Sequence, residues 1–219
     1  MANPVEMGNT HEAAAATITG IAGYRPYFRQ AFGDDRSDVR RVVEAIAAYE
    51  ATRLDGDSSF DRFDAGDASA LPADARRGRD LFYGPAECVQ CHLGPNFSDS
   101  RFHNLGVGYA RPEPGAFPRL GFEDVGRYAV TGDPRDIGAF KTPTLRDCSR
   151  HAPYMHDGSV PTLRAAVIHY VVGGIRNPWL SERIRPLPLD DQDVDDLVAF
   201  LHALEGRGYE DAPPASFPQ

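Results

Sequence analysis

Cys88-Val89-Gln90-Cys91-His92 is the stretch on which the fold turns. A Cys-x-x-Cys-His run is the attachment motif of c-type haem. The two thiols add to the two vinyl groups of the porphyrin, and the adjoining imidazole reaches the iron from one side. Five residues thus fix orientation, distance and one axial bond together. Two other chemistries use paired cysteines. A thioredoxin-like redox pair follows a strand in a βαβ pattern, and a zinc site needs two further ligands at similar spacing. The sequence shows neither pattern. The third cysteine, Cys148, leaves an odd count that excludes a fully paired disulfide framework within one chain, and it reads as a plain thiol. The expectation is one covalent haem c on Cys88, Cys91 and His92, and with it a periplasmic location. Met1-Ala2-Asn3-Pro4-Val5-Glu6 shows no basic stretch followed by an apolar one, so no signal peptide is expected here. The chain then reads as a fragment, or as one renumbered after processing.

Outward from the motif, Pro72 to Tyr83 reads as a helix with Pro72 in its first turn, and Leu93 to Ser100 as a loop. From Asn96 to Pro161, glycine and proline recur with no sustained period, which predicts a long wrapped loop region. Thr162 opens a helix that places Leu163, Ala166, Val167, Tyr170 and Val171 on one face, and Gly173-Gly174 closes it. Asp190 is the expected N-cap of a last helix, with Val194, Leu197, Val198 and Leu201 on one face and Gly206 past its end. Upstream, Val39, Val42, Val43, Ile46 and Ala47 form the stripe of an amphipathic helix from about Ser37 to Thr52. Leu54 to Ala70, rich in Asp, Ser and Gly, reads as a loop. No internal repeat and no β alternation is visible. The expected fold class is all-α: a class I cytochrome c-like helical domain with long loops wrapped around a covalent haem.

At 219 residues the chain is long enough for a substantial hydrophobic core. No apolar run approaches the roughly 18 residues of a membrane span. Asp and Glu number 32 against 23 Lys and Arg, a net charge of -9 that is the wrong sign for a nucleic-acid surface. The same charge suits a basic protein partner, and equally serves solubility.

Haem iron held by one His is completed by Met, His, Tyr or water. Met155, in Ala152-Pro153-Tyr154-Met155-His156-Asp157-Gly158, leads on spacing alone. Tyr170 competes because its helical face is otherwise apolar, and His103, His151, His156 and His169 are also available. Trp179, the single tryptophan, reads as a packing residue.

Several motifs in fixed order carry a resemblance. Asn3-Pro4-Val5-Glu6-Met7-Gly8, Cys88-Val89-Gln90-Cys91-His92, Val130-Thr131-Gly132-Asp133-Pro134, Phe140-Lys141-Thr142-Pro143-Thr144-Leu145-Arg146 and Pro153-Tyr154-Met155-His156-Asp157-Gly158 together resemble the bacterial dihaem cytochrome c peroxidase and MauG family. The match runs from Asn3 to the final helix. In that family an N-terminal cytochrome c-like domain carries a peroxide-reactive haem and a C-terminal one carries an electron-transfer haem. The single Cys-x-x-Cys-His here resembles the C-terminal half. Residues 1–70 then correspond to the connecting segment and helix of the inter-domain region, and residues 71–219 to the cytochrome c-like haem domain.

The resemblance implies that Glu6 is the acid and base of O–O cleavage at the peroxide-reactive haem, with that haem upstream of Met1. It implies Tyr170 as the distal ligand of the haem on Cys88, Cys91 and His92, and assigns Met155 to the loop motif, leaving Met155 as the alternative ligand. A phenolate ligand lowers the potential and favours higher oxidation states of iron. Calcium is implied through backbone carbonyls that match His151 and Pro153, with the remaining ligand from the missing domain. Electrons would pass between a donor protein, such as a small cytochrome or cupredoxin, or a protein substrate, and the peroxide-reactive haem of a missing domain or chain. The rival expectation is a single-haem electron-transfer cytochrome without peroxidase activity. A third is peroxidase chemistry at this haem itself, which requires Tyr170 or Met155 to leave the iron.

Overall fold

Thr10, Asp38, Ser58, Thr162 and Asp190 each accept a backbone N–H at the entrance of a helix, satisfying donors that the first turn leaves open. The computed structural model describes residues 7–111, 121–208 and 214–219. Glu6 lies outside them. The chain forms two compact units, Met1–Leu54 with Gly208–Gln219, and Asp55–Arg207.

The first unit holds α1 (His11–Gly20), α2 (Arg25–Phe32) and α3 (Val39–Glu50). Pro26 sits in the first turn of α2, where its missing N–H costs nothing, and Gly33 ends that helix with φ +87. Helix α3 begins after Asp38, two residues inside the expected Ser37 start. Asp34 binds Arg41 at 2.5 Å and Arg36 at 2.9 Å, tying the α2–α3 turn together. The C-terminal tail is anchored by the Gly23 N–H, which donates to the Gln219 carbonyl at 2.7 Å. Phe28 is the one buried residue on these three helices.

The second unit carries the motif. Helix α4 (Ser59–Asp64) falls inside the stretch expected to be loop. A reciprocal Ser58/Asp61 capping box starts it, and six residues are too few to show a period. Its Phe60 joins Phe82, Phe97, Phe200, Leu197, Leu201 and Leu204 in the main core. Phe60 meets Phe97 at 5.4 Å and Phe82 meets Phe200 at 5.2 Å between centroids, both edge to face. This packing draws residues 55–70 into the motif-bearing unit, so the division falls after Leu54 and not after residue 70.

Helix α5 (Ala73–Tyr83) follows Pro72, which stands at the cap and not in the first turn. It crosses α8 (Asp191–His202) at Gly78, where an added Cβ would lie 1.9 Å from the Asp196 carbonyl oxygen. Only glycine allows the two backbones this close. Beside the crossing, Arg77 grips the buried Asp196 through two bonds of 2.6 and 2.7 Å. Helix α7 (Leu163–Val171) also packs on α8.

Within the expected loop region, α6 (Tyr128–Thr131) and a two-stranded antiparallel ribbon appear, β1 (Phe102–Asn104) against β2 (Ala139–Lys141), with His103 opposite Phe140. The fold is therefore helix-rich with a short ribbon and not purely α; strands of three residues cannot display alternation. Gly56 and Arg207 close the unit with reciprocal backbone bonds of 3.1 and 2.7 Å. No helix among the described residues is long and apolar enough to cross a membrane.

Candidate haem-binding site

Helix α5 ends at Gly84 and hands the chain to a 3-10 turn, Cys88–Gln90. The Cys91 and His92 N–H groups both donate to the Cys88 carbonyl, at 3.2 and 2.9 Å. That turn holds the side chains of Cys88, Cys91 and His92 in one short arc. Both thiols are unpaired.

His92 is 9% exposed. Its Nδ1 lies 2.9 Å from the carbonyl oxygen of Phe97, which can only accept, so Nδ1 carries the proton and Nε2 the lone pair. Burial holds the imidazole below its ordinary pKa and hence neutral. A neutral ring with one nitrogen anchored is the form that binds a metal. Burial also pushes the Cys88 thiol up to about 12 and raises that of Cys91, against the opposing pull of Arg183. Redox-active Cys-x-x-Cys pairs show the opposite, a lowered thiol pKa.

Tyr170 lies on α7. Burial raises its phenol far above the ordinary value, and the neighbouring Cys88 and Cys91 push it the same way. The side chain is half-buried, and its hydroxyl makes no hydrogen bond to a described residue. Two thiols free of disulfides, a neutral imidazole and a nearby phenol are groups that could hold a covalently attached haem.

The other candidates sit in local settings of their own. Met155 is half-buried in a turn between Tyr154 and Val160, with φ +69. His156 is exposed and stacks on Phe140 at 3.5 Å between ring centroids. His169 bonds the Leu105 carbonyl at 3.0 Å, and His103 bonds Asp99 at 3.0 Å. His151 and Pro153 are exposed in the loop after the Cys148–Arg150 turn. Cys148 packs against the main core and burial pushes its thiol to about 12. Trp179 packs on Phe122 at 6.4 Å.

Sequence reasoning passed over the segment behind His92. Phe97 supplies the carbonyl that orients the ring, and Asp99 joins His103 beside Cys91. The available signal was an acid and a histidine four residues apart just after the motif.

The model of the family described as di-haem cytochrome c peroxidase matches residues 1–69. The methylamine utilization protein MauG of Methylorubrum extorquens is 37% identical over 207 residues, which cover 93% of this chain and 55% of that protein. Cytochrome c551 peroxidase of Nitrosomonas europaea is 37% identical over 208 residues, covering 94% of this chain and 56% of that one. Among solved structures, the dihaem peroxidase BthA of Burkholderia thailandensis superposes with a TM-score of 0.70 at 26% identity, over 94% of this chain and 62% of its own. The chain spans about half the length of the curated relatives it matches.

Proposed function

Because the chain belongs to the dihaem cytochrome c peroxidase and MauG family, we propose that it is the haem c-bearing electron-transfer portion of such an oxidoreductase. One observation supports this above others: Cys88, Cys91, a neutral His92 and the phenol of Tyr170 lie close to one another in a partly desolvated region. In this reading Cys88 and Cys91 would hold one haem covalently, and His92 Nε2 and Tyr170 would ligate its iron. A haem bound there supplies one-electron exchange at an iron tuned by its axial ligands.

The chain's own residues do the rest. The Phe97 carbonyl fixes the tautomer and rotation of His92. The aromatic cluster of Phe60, Phe82, Phe97 and Phe200 excludes water from that side. Tyr170 keeps its phenolic proton in the desolvated setting and yields it only to a strong positive centre. The α5–α8 crossing at Gly78 supports the class I cytochrome c-like arrangement.

By family resemblance, a peroxide-reactive haem of a further domain or chain would receive the electrons, and Glu6 would serve there as acid and base. The same resemblance supplies calcium at the His151 and Pro153 carbonyls, a small cytochrome, cupredoxin or protein substrate as electron partner, and a periplasmic location.

The test is haem counting by pyridine haemochrome and intact mass on periplasmically matured protein, with absorption and EPR of the wild type and Tyr170→Phe. One haem per chain, with an oxygen-ligand signature that disappears in Y170F, is expected. The near-infrared band of methionine ligation would move the distal ligand to Met155, and absence of covalent haem would overturn the proposal.

A further inference from the structure

The seven residues from Phe97 to His103 touch the haem motif twice. The Phe97 carbonyl holds His92 Nδ1 at 2.9 Å, and the Asp99 N–H donates to the Cys91 carbonyl at 2.7 Å. Asp99 is pinned in turn. Its Oδ1 accepts the Arg101 N–H at 2.9 Å, and its Oδ2 lies 3.0 Å from Nε2 of His103 on β1. The Asp99 and His103 side chains are only 7% and 14% exposed. Cys91 Sγ, a carboxylate oxygen of Asp99 and a ring nitrogen of His103 all lie within 4.8 Å of one another.

The backbone is held against its preference on both sides of Asp99. Phe97 has φ +48 and Ser100 φ +54, both left-handed and neither glycine. Such conformations persist only where the surroundings over-determine them. Ser98 adds to that by donating its hydroxyl to the Thr142 carbonyl at 2.7 Å. Burial works against the Asp99 anion, yet the bonds from His103 and the Arg101 N–H bring its carboxyl down to about 2.

We propose that Asp99 is an electrostatic partner of the haem that Cys91 and His92 would hold, its carboxylate kept beside Cys91 by His103 so as to bias the iron toward the oxidised state. The inference rests on the haem reading above. The backbone of Phe97–Asp99 clamps the motif at His92 and at Cys91, and this clamp sets the Asp99 carboxylate beside the Cys91 thiol. A fixed anion in a region of low dielectric interacts more favourably with the more positive oxidation state.

The experiment uses the full chain with its haem attached. Haem content, reduction potential, EPR and thermal melting are measured for the wild type, Asp99→Asn, Asp99→Glu and His103→Gln. Asp99→Asn is expected to keep its haem and raise the reduced-to-oxidised ratio at a given potential about ten-fold, or about 59 mV for a one-electron couple. His103→Gln retains an N–H donor for Asp99 and is expected to stay near the wild-type potential. A haem-loaded D99N with the wild-type potential overturns the proposal, even if its melting temperature falls, because that outcome marks a purely structural role. If D99N loses its haem, D99E decides: recovery of haem and potential supports the charge, and failure to recover overturns it. Wild-type protein without covalent haem overturns the haem reading itself, so the two failures are distinct.

Discussion

Helices α3 and α8 are each twelve residues long, begin at an aspartate cap and carry an apolar stripe, yet they have opposite fates. On α8, Val194, Leu197, Phe200 and Leu201 are buried together with Asp196. On α3 no residue is buried, and Val43 and Ile46 remain 48% and 43% exposed. A hydrophobic stripe therefore specifies that a helix has an inner face; what covers it depends on residues elsewhere in the chain. For α8 the decisive residue is Gly78, whose missing side chain lets α5 in. Nothing comparable meets α3 among the described residues.

The largest effect should come from removing that permission. Gly78→Val drives a side chain into the Asp196 carbonyl, which the backbone cannot accommodate without separating α5 from α8. A loss of more than about 4 kcal/mol is expected, visible as the absence of a cooperative melt and of haem retention. A G78V protein with the wild-type melting temperature would contradict the close crossing.

Two buried acids sharpen the contrast further. Arg77 holds the carboxyl of Asp196 below its ordinary pKa. That contribution is present above the ordinary carboxylate value and is lost as pH falls through the lowered one. Asp196→Asn should cost about 2 kcal/mol at neutral pH and flatten the acid limb of the stability profile, read from denaturant melts between neutral and acid pH. Asp55 behaves in reverse. Both its oxygens are buried without a hydrogen-bond partner, and burial, reinforced by Asp147, raises its pKa. Here stability is full below the ordinary carboxylate pKa and declines as pH rises through the raised one. Asp55→Asn should gain on the order of 1 kcal/mol at neutral pH and nothing in acid. A loss at neutral pH would show that the carboxylate is doing something the neutral amide cannot.

The smallest effect belongs to the exposed stripe. Ile46→Ser on α3 should change the stability of this chain by no more than about 0.5 kcal/mol. A larger loss in a denaturant melt would mean that the α3 face is covered.

How much was legible follows from where each interaction is written. The caps Thr162 and Asp190, the stripe containing Tyr170 and the glycines after α7 are local signals, and α7 and α8 begin where those signals put them. Helix α4 was hidden because its one strong anchor, Phe60, finds its partners in residues far along the chain. The ribbon was hidden because three residues per strand carry no period. Cys88, Cys91 and His92 could be read as a unit because the motif is contiguous. The Asp99–His103 pair could not, since its bonds to Cys91 and Arg101 run through backbone groups that every sequence possesses.

The reciprocal Gly56–Arg207 bonds carry a consequence for the chain's architecture. They set the entry and the exit of the haem-motif unit side by side, because the two chain crossings, Leu54 to Asp55 and Arg207 to Gly208, flank that single bridge. The ends of the unit formed by residues 55–207 therefore adjoin. Adjoining ends of this kind are the geometry in which circular permutation is tolerated.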